Sequence, residues 1–595
     1  MSLTRRPVQY VGLRQKRCGL RYGVSPCTAS GGPYCYQTWG TCGDQTNINT
    51  AGSITWMFCQ DGAAIMPTYQ RMGEDIRTNA IPLLSSVSTA SSEINIGAQR
   101  SAVSPLGVGS SVTISFQDRP WDDPVGDYYR DLRTNRNAAP FWALWRARNA
   151  FYTGALITVW DGYHGQALDD MQRRDYIISA VSGPDADGRV SITATDPLRL
   201  AEAKDAKFPP EIGAALVNEM DATTTTVRVS AHAADLDKAC GNTGSRKYLR
   251  IGSEIIQYSG HTLDGDGYRT MSGIVRGVLG STAEAHQVDD AVSRVGRYER
   301  IQHWAVAADL IDNHTPIPAG YRDSAQWSEE GFNYMTTQKA TRTVVSPTAV
   351  GDLLGQLCQQ GCFSLWWDER QQSIPLLANR PPDVAPTILT DGASIVAGSA
   401  FVSDDTQAQI SRVAVYFDGR SPFNQGKPEN YRLLRLHIDG FVESEAAAGA
   451  AKTLTIFADW ITRETDAIRL AARLLLRYRL VPQYLSLDLD SHDGGVRRSI
   501  NNGDVFDVTT RALVDSEGNP LSTRWQAIAV DDTKPGHTLR LKLQSYRFIG
   551  RFAVIMPADA PDYASATDEE KAFGCWMAEE ATGLMPDGSQ PYLIQ

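Results

Sequence analysis

A chain of 595 residues is long enough for about four domains at roughly 150 residues each. Its 42% hydrophobic and 21% charged residues, with 50 Gly and 29 Pro, are ordinary globular values and exclude pervasive disorder and fibrous or low-complexity classes. The 57 basic against 68 acidic residues leave a net charge of −11, the wrong sign for a chain that grips nucleic acid through its phosphates. A mean hydropathy of −0.29, with no apolar run of about 18 residues, predicts no membrane span. The opening residues Met1-Ser2-Leu3-Thr4-Arg5-Arg6 lack the apolar core of a signal peptide, which predicts synthesis in a reducing cytoplasm.

Residues 1–95 form the first predicted unit. Five of the nine cysteines fall within the first 59 residues: Cys18, Cys27, Cys35, Cys42 and Cys59. In a cytosolic product such clustering points to a metal site before a disulfide set. The first four sit at spacings C-x8-C-x7-C-x6-C in the Gly- and aromatic-rich loop RCGLRYGVSPCTASGGPYCYQTWGTC. Zinc sites favour tight pairs separated by about two to four residues. The wider gaps suit thiolates spread around a larger object, an iron–sulfur cluster of the 4Fe-4S kind, with zinc, disulfides or free thiols as alternatives. Arg5, Arg6, Arg14, Lys16, Arg17 and Arg21 all precede the first acid, Asp44, and nearby positive charge favours deprotonated thiols. Cys59, in the strand-like WMFCQ, is a reserve ligand. The unit ends in the Ser/Thr-rich LLSSVSTASSE.

Strand signals dominate the rest. SVTISF (111–116), RVSITA (189–194), RVAVYF (412–417), YLSLDLD (484–490), DVFDVTT (504–510) and TLRLKLQSY (538–546) alternate apolar and polar residues with the period of half-buried strands. Asp-Gly pairs at 187–188, 264–265, 418–419 and 493–494 supply tight-turn chemistry for antiparallel connections. Residues 96–205 read as a β unit containing APFWALWRARNAFY, 206–300 as a small inserted β module, and 301–404 as a connecting α+β region. Within the last, Cys358 and Cys362 read as helix core, and Cys240 and Cys575 have no partner at ligand spacing. LDGDGY (263–268) reads as a hairpin turn, since position 12 of a calcium loop supplies no Glu. Residues 405–557 hold strands around a helix at 464–480. That helix has Glu464 and Asp466 in its first turn and Ile468, Ala471, Leu475 and Tyr478 on one face, with Arg469, Arg473 and Arg477 on another. The stretch 558–595 carries eight acids against Lys571, a solvated tail or a docking segment. The fold class is therefore mainly β and multidomain, antiparallel, with short helices and a Cys-rich amino-terminal module.

No catalytic motif is present: H-E-x-x-H, G-x-S-x-G, a P-loop and a helix-opening G-x-G-x-x-G are all missing. The adjacent acids Asp122-Asp123 and Asp289-Asp290 would point to opposite faces of a strand. The expectation is a protein that is not an enzyme. The competing classes are a β-rich carbohydrate- or receptor-binding module using some of its 13 Trp, and an envelope-degrading hydrolase.

Three runs resemble one family. RCGLRYGVSPC…CYQTWGTC, followed by Asp44, Asn47 and Ile48, is similar to the cysteine-rich module of lambda-type phage tail-tip proteins and gene-transfer-agent tail hubs. FQDRPWDDPVGDYYRDLR…FWALWRARNAFYTG resembles a run in siphophage tail hubs, and KYLRIGSEIIQYSG…GIVRGVLGSTAEAHQVDDAV resembles a small β module of tail-tip proteins. The resemblance implies that Cys18, Cys27, Cys35 and Cys42 hold an iron–sulfur cluster. It also implies duplicated β-barrel tube domains, here 96–205 and 405–557. Three chains with two such domains each would match a six-fold tail tube, so a homotrimer is implied. The implied neighbours are a distal tail protein and tail tube, a tape measure protein, and tail fibre or central tip proteins. DNA would pass through an exit channel without specific binding, and the location would be the virion's tail tip or baseplate hub. Trp142 and Trp145 are candidate interface anchors, with helix core as the alternative.

Overall fold

A computed structural model of the chain describes residues 6–49, 51–60, 65–71, 74–96, 104–121, 125–133, 139–380, 382, 386–439, 442, 451–490, 500–534, 538–546, 554–555, 561–567, 571, 574–576 and 585–586. Asp122-Asp123, the Asp493-Gly494 pair and most of the acidic stretch 558–595 lie outside the described residues.

Alternating apolar residues build the first sheet. Seven antiparallel strands run in the order Gly52–Cys59, Pro7–Arg17, Leu156–Tyr163, Gln172–Ser182, Arg189–Thr195, Ser111–Gln117 and Leu84–Ala90. In a flat sheet the first and sixth strands would lie about 24 Å apart, five spacings of about 4.8 Å. Instead the rings of Phe58 and Phe116, one on each, are 5.0 Å apart. The sheet is rolled around a core. The helix Phe141–Arg148 plugs it, and Trp142 stacks on Phe58 at 5.3 Å and lies 4.7 Å from Phe116. Trp142 and Trp145 are buried here, so they are core of this chain and not free anchors for a partner. Their indoles are the largest apolar surfaces available, and the helix that carries them points them inward.

This sheet redraws one boundary expected from the sequence. The strands of 7–59 pair with those of 111–195, so the line at 95 crosses one sheet. LLSSVSTASSE, read as a domain edge, is the strand Leu84–Ala90 on the sheet's rim, where one face is wet and Ser and Thr are tolerated.

The inserted module centres on the hairpin Lys247–Ile251/Glu254–Tyr258. LDGDGY turns between the strands Gly260–Leu263 and Arg269–Ser272, as expected of a hairpin. The strand Ala291–Gln302 pairs first with 247–251 and then with Lys339–Val344, so it leaves the module without a break. Next come the helices His303–His314, Ser324–Tyr334 and Val350–Gly361, around a core that includes Leu310, Trp327, Leu354 and Cys358. Cys358 and Cys362 are buried, as the helix-core reading expects.

The strands Tyr431–Ile438, Arg412–Gly419 and Thr453–Ala458 form a three-stranded sheet covered by the helix Glu464–Tyr478. Arg473 and Arg477 are buried: Arg477 donates to Asn379 Oδ1 at 3.1 Å and Gln526 Oε1 at 2.7 Å and lies over the Tyr546 ring. The last sheet has six strands, in the order Thr387–Thr390, Val505–Val514, Pro520–Lys534, Thr538–Ser545, Gln483–Asp490 and Phe401–Asp404. It thus recruits strands from before residue 405, while 412–458 build a separate layer.

The two large sheets are stitched together. Glu93 forms an antiparallel bridge with Ala529, and the Ile94 amide donates to the Ile528 carbonyl at 2.8 Å. Lys542 Nζ reaches both Glu93 oxygens at 2.9 Å, and Tyr478 OH donates to the Ile96 carbonyl at 2.5 Å.

Candidate metal centre

The cysteine loop leaves the first sheet where Arg17 pairs with Gly52. Little apolar surface holds it: of its side chains before Gly52, only Cys18 and Ala29 count as buried hydrophobics. Polar closures take over. The Cys18 amide donates to the Gln37 carbonyl at 2.8 Å and the Gly19 amide to that of Asn49 at 2.9 Å. Asp44 ties the middle of the loop to its end, accepting from the Thr28 amide at 2.7 Å and from Asn47 Nδ2 at 3.0 Å. Those hydrogen bonds, led by the Thr28 amide, hold the Asp44 carboxyl down at about 2.

Cys18, Cys27, Cys35 and Cys42 are brought together. The thiols of Cys35 and Cys42 are pushed up first by burial; Cys35 also feels Cys42, Cys18 and Cys27, and Cys42 feels Cys18 and Cys27. Backbone amides oppose that rise: Gln37 at Cys35, and Asp44, whose N–H points at Cys42 Sγ from 3.4 Å. The Asn49 amide approaches Cys18 Sγ at the same distance of 3.4 Å. Amides aimed at sulfur stabilise thiolate, and a bound cation would reverse the mutual repulsion outright. All four are free thiols. Among the described residues no three His, Cys, Asp or Glu side chains close on a point that one metal ion could occupy.

Cys59 is elsewhere. It lies seven residues along its strand from Gly52, about 23 Å from the loop's root at 3.3 Å per residue, and packs with Val8, Tyr10, Met57, Ala80 and Met171.

The second resembling run clamps the first, a role the sequence reading did not assign. Arg133 pairs with Asp127 and donates to the carbonyls of Tyr34 at 2.9 Å and Cys35 at 3.2 Å. Tyr36 is held between the guanidinium groups of Arg133 and Arg148, 3.8 and 3.9 Å from its ring centre. Tyr129 stacks on Tyr34 at 4.9 Å, and its hydroxyl accepts from the Tyr22 amide at 2.6 Å. The available signal was the density of Arg, Asp and Tyr in VGDYYRDLR, more than a surface loop needs.

The third run is equally local in its logic. Glu254, fully buried, accepts from Arg276 Nε and Nη2 at 2.5 and 2.7 Å. It also accepts from the Gly277 and Glu284 amides at 3.0 and 3.1 Å and meets His286 Nε2 at 2.8 Å. Burial alone would raise this carboxyl, but the hydrogen bonds, led by Arg276 and His286, hold it below its ordinary value.

No family model matches the chain, and no curated protein matches it. Among solved structures it is similar to a tail protein from Neisseria meningitidis MC58, at 10% identity and TM-score 0.36, over 80% of this chain and 94% of that one. It is also similar to the 43 kDa tail protein of prophage MuSo2 from Shewanella oneidensis, at 10% identity and TM-score 0.33, over 80% and 97%. The prophage tail protein gp18 from Listeria monocytogenes EGD-e aligns at 9% identity and TM-score 0.30, over 80% and 92%.

Proposed function

We propose that the chain is a structural protein of a long-tailed phage virion, located at the tail tip or baseplate hub, whose amino-terminal loop holds an iron–sulfur cluster on Cys18, Cys27, Cys35 and Cys42. One observation carries the reading. The two runs that resemble tail-hub sequences, the cysteine loop and VGDYYRDLR, pack against each other through Arg133, Tyr129 and Asp127, as parts of one device. A bound cluster would supply ligand bonds that fold a loop too polar to fold on apolar burial. Asp44, Asn49 and Gln37 orient and solvate the sulfurs, while Arg133 and Arg148 fix the aromatic rings beside them.

The rolled first sheet and the last sheet serve as the two tube-like units of each protomer, and three protomers form the ring beneath the tube. On the polar face of the last sheet arginines stand opposite aspartates: Arg524 on Asp507 at 2.9 Å and Arg540 on Asp488 at 2.8 Å. Neutralised arginines do not retain phosphates, which suits a wall past which DNA slides. The distal tail protein, tail tube, tape measure, and fibre or central tip proteins are the neighbours of this reading.

The test has two arms. Purified chain should carry iron and a broad visible absorption, with Cys18→Ser or Cys35→Ser losing iron and leaving residues 1–60 protease-sensitive, and Cys59→Ser retaining both. Light scattering should give a trimer that binds tail tubes. Iron-free protein with an intact loop rejects the cluster, and a monomer that ignores tail tubes rejects the hub.

A further inference from the structure

The rolled core of the first sheet ends in charge. Arg174 and Tyr176 alternate on the strand Gln172–Ser182, and Asp161 shares a face with Ile157 and Val159 on Leu156–Tyr163. Arg174 Nη2 donates to Asp161 Oδ2, and its Nη1 donates to Thr89 Oγ1 at 3.3 Å. Asp161 Oδ1 accepts from Gln9 Nε2 at 2.7 Å. With side chains only 4% and 1% exposed, Arg174 and Asp161 form a dry pair whose charges cancel.

The segment 366–370 upsets that balance. It lies against the chain crossing at 92–96: Ser92 Oγ donates to the Trp367 carbonyl at 3.2 Å, and Trp366 packs with Ile94, Ile96 and Ile528. From there it inserts Glu369, 8% exposed, to face Arg174 and the Ser110 hydroxyl. Asp368 and Arg370 face Glu369 from its own turn, and Tyr176 faces it from the first sheet. Arg370 Nη1 also donates to the Ile500 carbonyl at 2.9 Å. Further out, Asp196 faces Tyr176 and is offset by Arg199, while Asp504 faces Asp368. Asp175, on the opposite face of its strand, is paired with Arg173 at 2.8 Å. Around Glu369, then, Arg174 and Arg370 stand against three carboxyl groups, those of Asp161, Asp368 and Glu369. A net negative charge out of water is costly, and one proton removes it. Burial pushes the Glu369 carboxyl up to about 7 against the opposing pull of Arg174, so the proton sits there.

We propose that the contact between the first sheet and this turn is a proton-operated latch: with Glu369 protonated the turn seats against Arg174, and with Glu369 ionised it lifts and frees the crossing at 92–96. The direction follows from linkage. In the lifted state Glu369 meets water and titrates at its ordinary value. The seated state is therefore favoured fully below that value and loses about tenfold per pH unit between it and about 7, where the loss levels off. This inference depends neither on the tail reading nor on the cluster.

Hydrogen exchange on the full chain, from about pH 5 to about pH 8 and corrected for intrinsic exchange, tests it. Peptides spanning 92–96 and 366–372 should lose protection about tenfold per unit up to about pH 7 and no further. The strand at 172–178, held by its neighbours in the sheet, should stay protected. Glu369→Gln, which fixes the neutral form, should keep all three protected throughout. Asp196→Asn and Asp504→Asn remove carboxyls that burial raises to about 6, and should leave the transition in place. Four results overturn the proposal: protection that is flat across the range, a loss shared equally by 172–178, a transition that persists in Glu369→Gln, or one abolished by either aspartate variant. If Glu369→Gln fails to fold, the wild-type profile and the two aspartate variants still decide.

Discussion

Replacing Glu254 with glutamine keeps the side chain's shape and removes its charge. Glu254 has no exposed surface and receives donors from Arg276, His286 and two backbone amides. The variant leaves the Arg276 guanidinium, itself buried to 8% side-chain exposure, facing an amide that can accept through only one atom. Breaking a buried pair by removing one partner costs about 3–5 kcal/mol. Solvent screening offers no discount here, because neither partner is wet. If the module of about 95 residues melts as a unit, the low end corresponds to a fall of about 12 °C or more. Hydrogen exchange by mass spectrometry, read on peptides spanning 247–258 and 276–286, isolates that module from the rest of the chain. A loss below about 1 kcal/mol would refute the reasoning. The pH dependence supplies a second check. The folded carboxyl sits below its ordinary value, so its contribution is complete above the unfolded value and is lost as pH falls through the folded one. Wild-type module stability should therefore drop on the acid side, and the Glu254→Gln variant should lack that drop.

Arg133→Ala should open the cysteine loop to protease without melting the first sheet, with a loss of about 2–3 kcal/mol for charge-assisted hydrogen bonds to Asp127 and two carbonyls. Trp142→Ala should cost about 3–5 kcal/mol in the first sheet, since the indole fills the rolled core, which chemical denaturation would measure. Leu474→Asp should unfold the layer beneath the helix Glu464–Tyr478, because a buried unpaired carboxylate costs several kcal/mol. Wild-type circular dichroism and melting in that variant would contradict the packing.

What the sequence made legible was local. SVTISF, RVSITA, RVAVYF and YLSLDLD all lie within strands, since period two is written in consecutive residues. The helix at 464–480 ends within two residues of its expected end. Pairing was not legible. Pro7–Arg17 lies between Gly52–Cys59, close in sequence, and Leu156–Tyr163, more than a hundred residues on, and no local pattern encodes the second partner. Arg477 was legible only as one of three arginines on a face apart from the apolar one, because its partners Asn379, Gln526 and Tyr546 come from distant segments. The cysteine set was visible as spacing. Its clamp was not, because Arg133 acts on backbone carbonyls, which no side-chain motif records.

The stitch between the two large sheets also sets an order of events on the ribosome. The first sheet is complete once residue 195 has emerged, so it can roll up early. Its exit segment cannot finish then, because Glu93 waits for Lys542, 449 positions later. At about 5–20 residues per second that wait is roughly 20–90 s. During it the Ile94 amide, which will donate to the Ile528 carbonyl, and the Glu93 carboxylate, which will meet Lys542, stay open to water or to a chaperone. The nascent chain therefore passes through a stage with one closed end and one unsealed seam, and the seam closes only when almost the whole polypeptide has been made.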